Sequence, residues 1–341
     1  MSDVRIFSTI PPASRSGGNY REEVRRAAQL SEAVGFVGAL VYSDNNTIDP
    51  WVVAQEVLCA TERFKPLVAL QPVYMHPYAV AKKLASYGVL YGRGICLNLV
   101  AGGSRADLAA LSDTTEHDHR YGRLAEYARL IGLLLDGAGP VTFDGEHYRV
   151  KGLALFPALA EHLRPELYIS GSSEAGLQAA RELGAVPVRY PEPPAADGSG
   201  MDPSLRGGGV RLGIVARDSD EDAWRVAHER FPATRAGRML QKMARDATDS
   251  RWLAALSDAD EFPGGPGSPY WMGPFQQYAT FCPYLVGTYD KVADEVARYI
   301  AAGCRTFIMD TARADDDYEV NRAVFDLALS RVPAERLPAA G

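Results

Sequence analysis

The hydrophobic pattern of the first part of the chain alternates between short runs that are apolar nearly throughout and longer segments with helical spacing. The apolar runs are Val4–Ile10, Val37–Tyr42, Leu67–Pro72 and Gly94–Val100. Uniform apolarity is typical of strands that are buried on both faces of a parallel sheet. The segments between the runs repeat apolar residues at helical intervals, which predicts helices at 20–34, 50–59 and 78–90. The pattern therefore predicts repeated β–α units.

The same alternation continues through the rest of the chain. A long helix is predicted at about 118–135, and further strands are predicted at 167–170, 186–190, 210–216 and 306–309. Helices are predicted to follow at 175–183, 221–244 and 318–329. Strands and helices in this order favour an α/β fold of the (β/α)8 TIM-barrel type over a doubly wound sheet. We therefore expect a single TIM-barrel domain with insertions over 1–341.

Three stretches do not fit the regular unit and are predicted insertions. The first, about 137–165, has a hairpin pattern in which two apolar segments flank Asp144-Gly145. The second, 191–209, is rich in Pro, Gly and Asp and predicts a mobile loop. The third, 246–284, combines Pro and Gly with aromatic residues and has no clear period. Because long insertions in barrels are often functional, we expect the third to form a lid.

Composition narrows the function classes. The formal net charge is -7 and no basic tract is present, so nucleic acid is not an expected partner. No apolar run approaches the roughly 20 residues that cross a bilayer, and the N-terminus lacks a secretory pattern. The four cysteines form no CxxC pair, which argues against a metal or redox motif, and Cys59 and Cys96 are predicted to be buried. We expect a reduced, cytoplasmic location.

Polar residues follow the predicted strands, at the end where TIM barrels carry their active sites. They include Asp44–Thr47, Gln71–His76, Asn98–Gly103, Ser170–Ser173 and Arg211. The set offers amides, hydroxyls and aromatic rings, but no metal-ligand spacing, no nucleophile elbow and no dinucleotide fingerprint. It therefore suggests that a bound organic cofactor carries out the chemistry.

Two helix starts are candidates for binding a phosphate group. Gly171-Ser172-Ser173 leads from a strand into a helix, where free backbone N–H groups and two hydroxyls can hold an anion. His117 and Tyr121 lie four residues apart at the start of the long helix and so share a face. The alternatives are that a serine merely caps its helix, and that His117 caps while Tyr121 packs.

Short motifs spread over nearly the whole chain carry a family resemblance. They are Leu97–Gly103, His117–Tyr121, Val141–Tyr148, Leu167–Glu174, Glu192–Pro194, Arg211-Leu212 with Asp222–Trp224, and Leu285–Gly287 with Val292-Ala293. Together they resemble the bacterial-luciferase-like flavin monooxygenases, among which the alkanesulfonate monooxygenases are the most similar. The resemblance implies a (β/α)8 barrel and the use of reduced FMN and dioxygen. It also implies a separate NAD(P)H-dependent flavin reductase and a homodimer or homotetramer.

The resemblance assigns cofactor roles to particular residues. It implies that Asn98 and Val100 lie along the flavin ring and that Gln71 reaches the ring edge. The phosphate end of FMN is then held by the remaining candidates, which are His117, Tyr121, Gly171, Ser172 and Ser173. Hydroxyls, a phenol, an imidazole and helix-start N–H groups suit a phosphate.

The chain departs from the alkanesulfonate monooxygenases on the substrate side. Thr47 stands where that family has a cysteine, Gly213 where it has a histidine, and Thr311–Arg313 where it has a tyrosine. Arg211 alone carries over from that polar set. The resemblance therefore supports reduced flavin and dioxygen chemistry, but it does not extend to sulfonate cleavage.

Three side chains are candidates for acting on the substrate. Arg211 is predicted to anchor an anionic group of the substrate or of the oxygenated cofactor. Asn46 and His76 are predicted to contact an amino-acid-like or acyl substrate, although His76 could instead cap a helix and Asp44–Asn46 could be only a turn. The chain also resembles oxygenases found beside natural-product assembly lines, which implies a carrier-tethered substrate as one option and an organosulfur compound as another.

Three other functions remain open on the sequence, of which a metal-dependent barrel hydrolase is the most distant. A deazaflavin-dependent hydride-transfer enzyme of the same fold would use no dioxygen. A flavin-binding relative without catalysis would lack a complete substrate side, as the missing histidine at Gly213 suggests.

Overall fold

The structure is a computed structural model, and it describes residues 4–171, 173–191, 205–246 and 267–333. Four predictions fall partly or wholly outside these ranges. They concern Ser172, the Glu192–Pro194 motif, most of the loop at 191–209 and the segment 247–266 of the third insertion.

Eight parallel strands form a closed barrel. In chain order the described strands are β1 (Arg5–Thr9), β2 (Gly38–Val41), β3 (Lys65–Leu70), β4 (Cys96–Leu99), β5 (Val141–Asp144), β6 (Arg149–Leu153), β7 (Leu167–Ser170), β8 (Val186–Arg189), β9 (Gly209–Arg217), β10 (Tyr270–Trp271), β11 (Tyr284–Thr288) and β12 (Thr306–Met309). The barrel order is β1-β2-β3-β4-β7-β8-β9-β12, and β12 pairs with β1 to close the ring. The predicted (β/α)8 barrel is confirmed.

Helices alternate with the barrel strands, as the periodicity predicts. The described α-helices are α1 (Tyr20–Ala33), α2 (Pro50–Ala60), α3 (Pro77–Tyr91), α4 (Arg105–Ala110), α5 (His117–Leu135), α6 (Glu174–Leu183), α7 (Asp220–Arg230), α8 (Arg235–Asp246), α9 (Gly273–Gln276), α10 (Tyr289–Ala301) and α11 (Asp317–Arg331). Local sequence explains several ends. Asp49 caps α2 by accepting from the N–H groups of Trp51 and Val52, and Gly92 ends α3 with a φ of 62°.

Internal contacts divide the chain into two compact units. The first comprises Met1–Pro11, Arg26–Ala39 and Val188–Gly341, and the second comprises Pro12–Arg25 and Leu40–Pro187. The core of the second unit gathers the apolar faces of α2, α3 and α5 around buried aromatic residues such as Trp51 and Tyr127. The first unit contains an aromatic cluster that includes Phe231, Trp271 and Tyr284.

The single helix predicted at 221–244 is wrong, because the structure has two helices there. α7 ends at Arg230 and α8 begins at Arg235. The cause is Pro232, which lacks an N–H donor and disfavours the helical conformation at Phe231, whose φ and ψ are -133° and 66°.

The hairpin predicted in the first insertion is present as the antiparallel pair β5 and β6. Its second strand begins at Arg149 rather than at His147. The N–H groups of Glu146, His147 and Tyr148 instead donate to the Glu126 carboxylate of α5, at 2.8, 2.9 and 3.3 Å. Burial would raise the pKa of Glu126, but these backbone hydrogen bonds outweigh it and lower the pKa.

The described part of the third insertion is ordered core rather than irregular chain. β10 pairs antiparallel with β11, and Tyr270, Trp271 and Phe275 are fully buried. The helix α10 has no counterpart in the sequence-based prediction, although Thr288 caps it through the N–H of Lys291. The lid role assigned to 246–284 stays a prediction.

The structure bears on two expectations from composition, which concern membrane-spanning helices and the burial of Cys59 and Cys96. In the described ranges, no helix combines the length and apolarity that crossing a membrane requires. Cys96 is buried as predicted, but the prediction for Cys59 is wrong. Cys59 lies on the outer side of α2, where its sulfur is 3.8 Å from the hydroxyl of Tyr91.

Candidate functional site

The candidate phosphate site is built around Tyr121, which is buried on the first turns of α5. Its hydroxyl lies against the chain that enters α6: a Cβ added at Gly171 would come within 2.6 Å of the Tyr121 hydroxyl, and one at Gly176 within 3.2 Å of the ring. A side chain at 171 would therefore force the phenol to shift, and one at 176 would press tightly on the ring. The ring of His117 meets Tyr121 edge-on, with centroids 5.3 Å apart. The structure thus brings His117, Tyr121 and Gly171 together.

Ser173 stands at the same helix start and caps it. Its hydroxyl oxygen accepts from the N–H of Gly176 at 3.2 Å, as the cap alternative predicted. Capping uses the oxygen as an acceptor, so the hydroxyl proton can still be donated to an anion. Ser172 lies outside the described residues.

The start of α5 is the second anion-favouring feature. Glu116 occupies the N-cap position without a side-chain cap bond in the described chain, and Asp118 instead bonds to the Nδ1 of His117 at 2.8 Å. This contact orients the imidazole and leaves Nε2 for another partner. The helix dipole at this end favours negative charge, and a phosphate would be such a charge.

The amide candidates Asn98 and Gln71 are held by neighbouring strand ends. The hydroxyl of Ser170 donates to the Oδ1 of Asn98 at 2.9 Å, so the buried Asn98 presents its nitrogen as a donor. Gln71 donates through Nε2 to the carbonyl of Ser43 at 2.9 Å, which leaves its oxygen as an acceptor. The N–H of Val100 donates to Leu70 and so extends the β3–β4 ladder. These residues are fixed by the barrel itself.

The loop after β2 is a turn with one organised side chain. Asp44 accepts from the N–H of Asn46 at 2.7 Å, which is an Asx-turn, as the turn alternative predicted. Asn45, rather than Asn46, makes the side-chain contacts: its Oδ1 accepts from the hydroxyl of Tyr74 at 2.8 Å, and its Nδ2 donates to Asp107. Burial, then Asp107 and Asp44, raises the pKa of Tyr74 to about 12. The catalytic role of Asn46 stays a prediction.

His76 caps α3, as its alternative predicted. Its Nδ1 accepts from the N–H of Tyr78 at 3.1 Å, so a neutral ring carries its proton on Nε2. The ring meets Tyr148 edge-on at 6.0 Å, and Tyr148 in turn packs on Tyr127, whose hydroxyl donates to the carbonyl of Met75. The hairpin insertion therefore positions the exposed His76, which can donate through Nε2 in this arrangement.

Arg211 belongs to a buried polar cluster in the other unit. It lies on β9, and its Nη2 is 3.3 Å from the Oδ1 of Asp310, which directly follows β12. The second oxygen of Asp310 accepts from the hydroxyls of Thr280 and Tyr284, each at 2.7 Å. Burial would raise the pKa of Asp310, but Arg211 and the two hydroxyls outweigh it and lower the pKa. We call these four residues the Arg211 cluster.

The ring of Tyr284 leaves no room for a histidine at position 213, where the alkanesulfonate monooxygenases have one. Gly213 and Tyr284 are paired across β9 and β11, and a Cβ at Gly213 would lie 2.2 Å from Cζ of the tyrosine ring. The ring of Tyr284 therefore occupies the space that a side chain at 213 would need. The phenol of Tyr284 reaches Asp310. A tyrosine from β11 therefore fills the space beside Gly213, where the alkanesulfonate monooxygenases have a histidine.

Sequence reasoning missed three members of the Arg211 cluster. Asp310 had a usable signal, because it is a polar residue directly after a predicted strand. Tyr284 and Thr280 had none, because their roles depend on the pairing of β11 with β9, and β11 was not predicted. In the part of the chain that the structure describes, no group of three or more histidine, cysteine or acidic residues could hold a metal.

Comparisons with known proteins agree with this architecture. The family model described as luciferase-like monooxygenase matches residues 3–306. A curated relative from Niallia circulans, 4-(gamma-L-glutamylamino)butanoyl-[BtrI acyl-carrier protein] monooxygenase BtrO, is 32% identical over 327 residues. The match covers 93% of this chain and 95% of the relative.

Solved structures with the same fold differ in cofactor. The oxygenating constituent of 3,6-diketocamphane monooxygenase from Pseudomonas putida, in complex with FMN, has a TM-score of 0.70 and 15% identity, covering 99% of this chain and 100% of its own. The coenzyme F420-dependent tetrahydromethanopterin reductase from Methanopyrus kandleri has a TM-score of 0.63 and 13% identity, covering 98% and 100%. At such low identities these two matches establish the fold alone.

Proposed function

The chain belongs to the luciferase-like monooxygenase family, and on that premise we propose that it is a two-component flavin-dependent monooxygenase. In this proposal it takes reduced FMN from a separate NAD(P)H-dependent reductase and uses dioxygen to oxygenate an acyl group attached to a carrier protein. The relative BtrO, whose name specifies a carrier-bound substrate, supports the substrate class.

One observation carries the cofactor part of the proposal. The phenol of Tyr121 fits against Gly171 and Gly176 at the start of α6, with the His117 ring beside it. A phenol, an imidazole, a serine hydroxyl and helix-start N–H groups form a donor set that suits a phosphate. The donors present therefore fit the phosphate end of FMN.

When bound, reduced FMN would supply the two electrons that allow one atom of dioxygen to enter the substrate and the other to leave as water. The chain's own groups bind and orient it. Tyr121 and Ser173 donate to the phosphate, and the Nε2 of His117 does so in the imidazolium form, whose Nδ1–H is held by Asp118. Asn98 donates at the ring through its amide nitrogen, and Gln71 offers an acceptor.

The Arg211 cluster supports a neutral acyl substrate over a free sulfonate. Asp310 already compensates the charge of Arg211, so the buried pair has no net positive charge to hold an anion. A carbonyl oxygen needs only a hydrogen-bond donor, which the guanidinium can supply without losing its carboxylate. The alkanesulfonate-like subtype that the resemblance predicts stays a prediction, and the Arg211–Asp310 pair disfavours it.

His76 is a further proposed polar contact for the substrate. Its Nδ1 is engaged by the N–H of Tyr78, so Nε2 is the atom that would donate to the substrate. Replacing His76 with aspartate keeps a cap acceptor but carries no donor, which separates capping from substrate contact.

The test is product analysis with isotopically labelled dioxygen. Reduced FMN, the chain and 4-(γ-L-glutamylamino)butanoyl-BtrI carrier protein are mixed under ¹⁸O₂, and the acyl group is released and weighed by mass spectrometry. We expect one ¹⁸O atom per acyl group, and none when FMN is omitted. Tight binding of a reduced deazaflavin with substrate reduction and no ¹⁸O would favour the hydride-transfer alternative. Flavin binding with no change in the acyl group would favour the alternative that the chain is a flavin-binding protein without catalytic activity.

A further inference from the structure

The helix α8 carries two exposed stripes of different chemistry. Arg235, Arg238 and Lys242 are exposed at spacings that place them on one line of the helix. Met239 and Met243, 66% and 58% exposed, form a second line beside it. A third line, which includes the buried Gly237 and Gln241, faces inward. We call the exposed residues 235, 238, 239, 240, 242 and 243 the α8 face.

The inward line of α8 is anchored to the chain after β10. Gly237 is buried, and a Cβ there would lie 2.7 Å from the carbonyl oxygen of Gln277. The Oε1 of Gln277 accepts from the N–H of Thr234 at 2.7 Å. The inward side of α8 therefore packs on the chain after β10, and the α8 face is exposed in the part of the chain that the structure describes.

The basic residues of the α8 face differ from most exposed arginines of this chain. Arg225 pairs with Asp222 and Glu229, and Arg331 pairs with Asp290 and Asp294. In the described residues no carboxylate pairs with the three cations of the α8 face. A concentrated positive stripe on a chain with a net charge of -7 favours an acidic partner.

The α8 face is connected to the Arg211 cluster by a short piece of chain. Gln277, which holds α8, is three residues before Thr280, which donates to Asp310. A three-residue segment spans at most about 11 Å. A partner docked on the α8 face would therefore be held near the group that we propose to contact the acyl carbonyl.

We propose that the α8 face is the docking surface for the carrier protein, recognised as an acidic helix surface with apolar side chains. The inference rests on the proposed function, because it assumes that the acyl group arrives on a carrier. Cations of the α8 face pair with acidic side chains of the carrier, while flexible methionines adapt to its apolar positions.

Other occupants fit the chemistry of the α8 face less well. A second copy of this chain docked through the α8 face by a two-fold axis would place both sets of three cations in one interface, and the α8 face has no carboxylate to compensate them. A lipid surface favours basic helices with Trp, Phe or Leu on the apolar side, whereas two of the three exposed apolar residues here are methionines and none is aromatic. These occupants are separate outcomes of the test.

The test is direct binding, measured without turnover. Holo-BtrI carrier protein with a fluorescent label is titrated with the full chain and with the charge-reversed variant R235E/R238E/K242E, and its anisotropy is followed. We expect saturable binding that weakens at high salt and at least about a tenfold loss of affinity in the variant. The control Lys151→Glu reverses one exposed cation on β6 and should leave affinity unchanged, whereas Arg238→Glu alone should not.

Activity separates the failure of docking from the failure of the proposed function. The same acyl group is offered on the carrier and on free pantetheine, and we expect the triple variant to lose kcat/KM only with the carrier. An equal loss with both substrates, or no loss of carrier binding, overturns the docking proposal. Carrier binding that depends on α8 without oxygenation of either substrate leaves docking intact and removes the proposed function.

Two further measurements assign the α8 face elsewhere if docking is wrong. Sedimentation that shows a different oligomeric state for the triple variant would make α8 a contact between copies. Flotation of the wild-type chain, but not the variant, with vesicles of phosphatidylserine and phosphatidylcholine would make α8 a lipid-binding helix. Either result contradicts the carrier proposal.

Discussion

At the scale of single residues, two glycines determine what their tyrosine neighbours can reach. Gly171 leaves room for the hydroxyl of Tyr121 at the start of α6, and Gly213 leaves room for the ring of Tyr284 beside Asp310. A side chain at 213 would collide with the ring of Tyr284, and one at 171 would collide with the hydroxyl at the end of Tyr121. The functional groups of both regions therefore depend on residues that have no chemistry of their own.

Gly171→Ala tests the first of these pairs. The added methyl would lie 2.6 Å from the Tyr121 hydroxyl, so the phenol must move away from the helix start. We expect reduced FMN to bind about tenfold or more weakly, since overpacking of this kind costs roughly 1–3 kcal/mol. Anaerobic fluorescence titration measures the effect. Gly132→Ala is the matched control, because nothing lies within 4 Å of its Cβ, and the account fails if both variants bind FMN alike.

Asp310→Asn tests the charge argument in the Arg211 cluster. Asparagine keeps the size and the acceptor oxygen but leaves the guanidinium of Arg211 uncompensated. We expect the variant to be inhibited by ethanesulfonate at least about tenfold more strongly than the wild type, and to oxygenate the acyl substrate more slowly. Steady-state inhibition gives both numbers. Equal inhibition of the two proteins would contradict the claim that Asp310 excludes anions, and thermal melting checks that the variant is folded.

At the scale of elements, the loop before α5 holds the start of the candidate phosphate helix. Asp113 accepts from the N–H and hydroxyl of Thr115 at 3.1 and 2.7 Å, and from Arg123 of α5 at 2.5 Å. Burial would raise the pKa of Asp113, but the hydrogen bonds from Arg123 and Thr115 outweigh it and lower the pKa to about 2. This ion pair is largely buried, so it fixes the loop to the helix more firmly than a surface pair would.

The lowered pKa of Asp113 makes a stability prediction with a definite sign. The carboxylate pKa is about 3.9 in an unfolded chain, so its stabilising contribution is present above about pH 4 and is lost as the pH falls toward 2. We expect Asp113→Asn to lower the free energy of unfolding by about 1–3 kcal/mol at pH 7 and by less at pH 3. Urea unfolding at both pH values measures this.

The control for this prediction is Asp144→Asn, whose partner Arg149 is exposed on the hairpin. Its effect should be within about 1 kcal/mol at either pH. A loss in Asp113→Asn that is the same at pH 7 and pH 3 would show that the carboxylate charge is not what holds the loop.

Elements with strong local signals could be predicted from the sequence, and those that depend on distant pairing could not. The strands at 167–170 and 306–309 were predicted with the bounds that the structure has. α10 was not predicted, and neither was β11, which pairs with the second half of β9 after β12 has paired with the first half. The break between α7 and α8 had a local signal in Pro232 that the periodicity concealed.

The candidate site divides in the same way. Helix spacing paired His117 with Tyr121, and strand-to-helix order singled out Gly171, because both are local patterns. Only the family resemblance joined them as one phosphate site. The turn at Asp44–Asn46 and the cap at His76 were the local alternatives, and the structure has both. Tyr284 and Thr280 required the three-dimensional pairing that brings them to Asp310. Their hydrogen bonds to Asp310 could not be predicted from the sequence pattern of any single strand.

At the scale of the whole molecule, the two compact units carry different proposed tasks. The unit that contains Leu40–Pro187 holds the groups proposed to bind the cofactor, and the unit that contains Val188–Gly341 holds the Arg211 cluster and α8. Substitutions should therefore separate cofactor affinity from substrate preference. Gly171→Ala should change FMN binding without changing the discrimination between carrier and pantetheine thioesters, and the α8 variant should do the reverse.

The central claim is that the starts of α5 and α6 hold the phosphate of FMN. The most direct measurement is anaerobic titration of the chain with reduced FMN and with reduced riboflavin, which differ only by that phosphate. We expect FMN to bind at least about a hundredfold more tightly, and Tyr121→Phe to reduce that ratio. Equal affinity for the two flavins, or a ratio that survives both Tyr121→Phe and Gly171→Ala, would contradict the account.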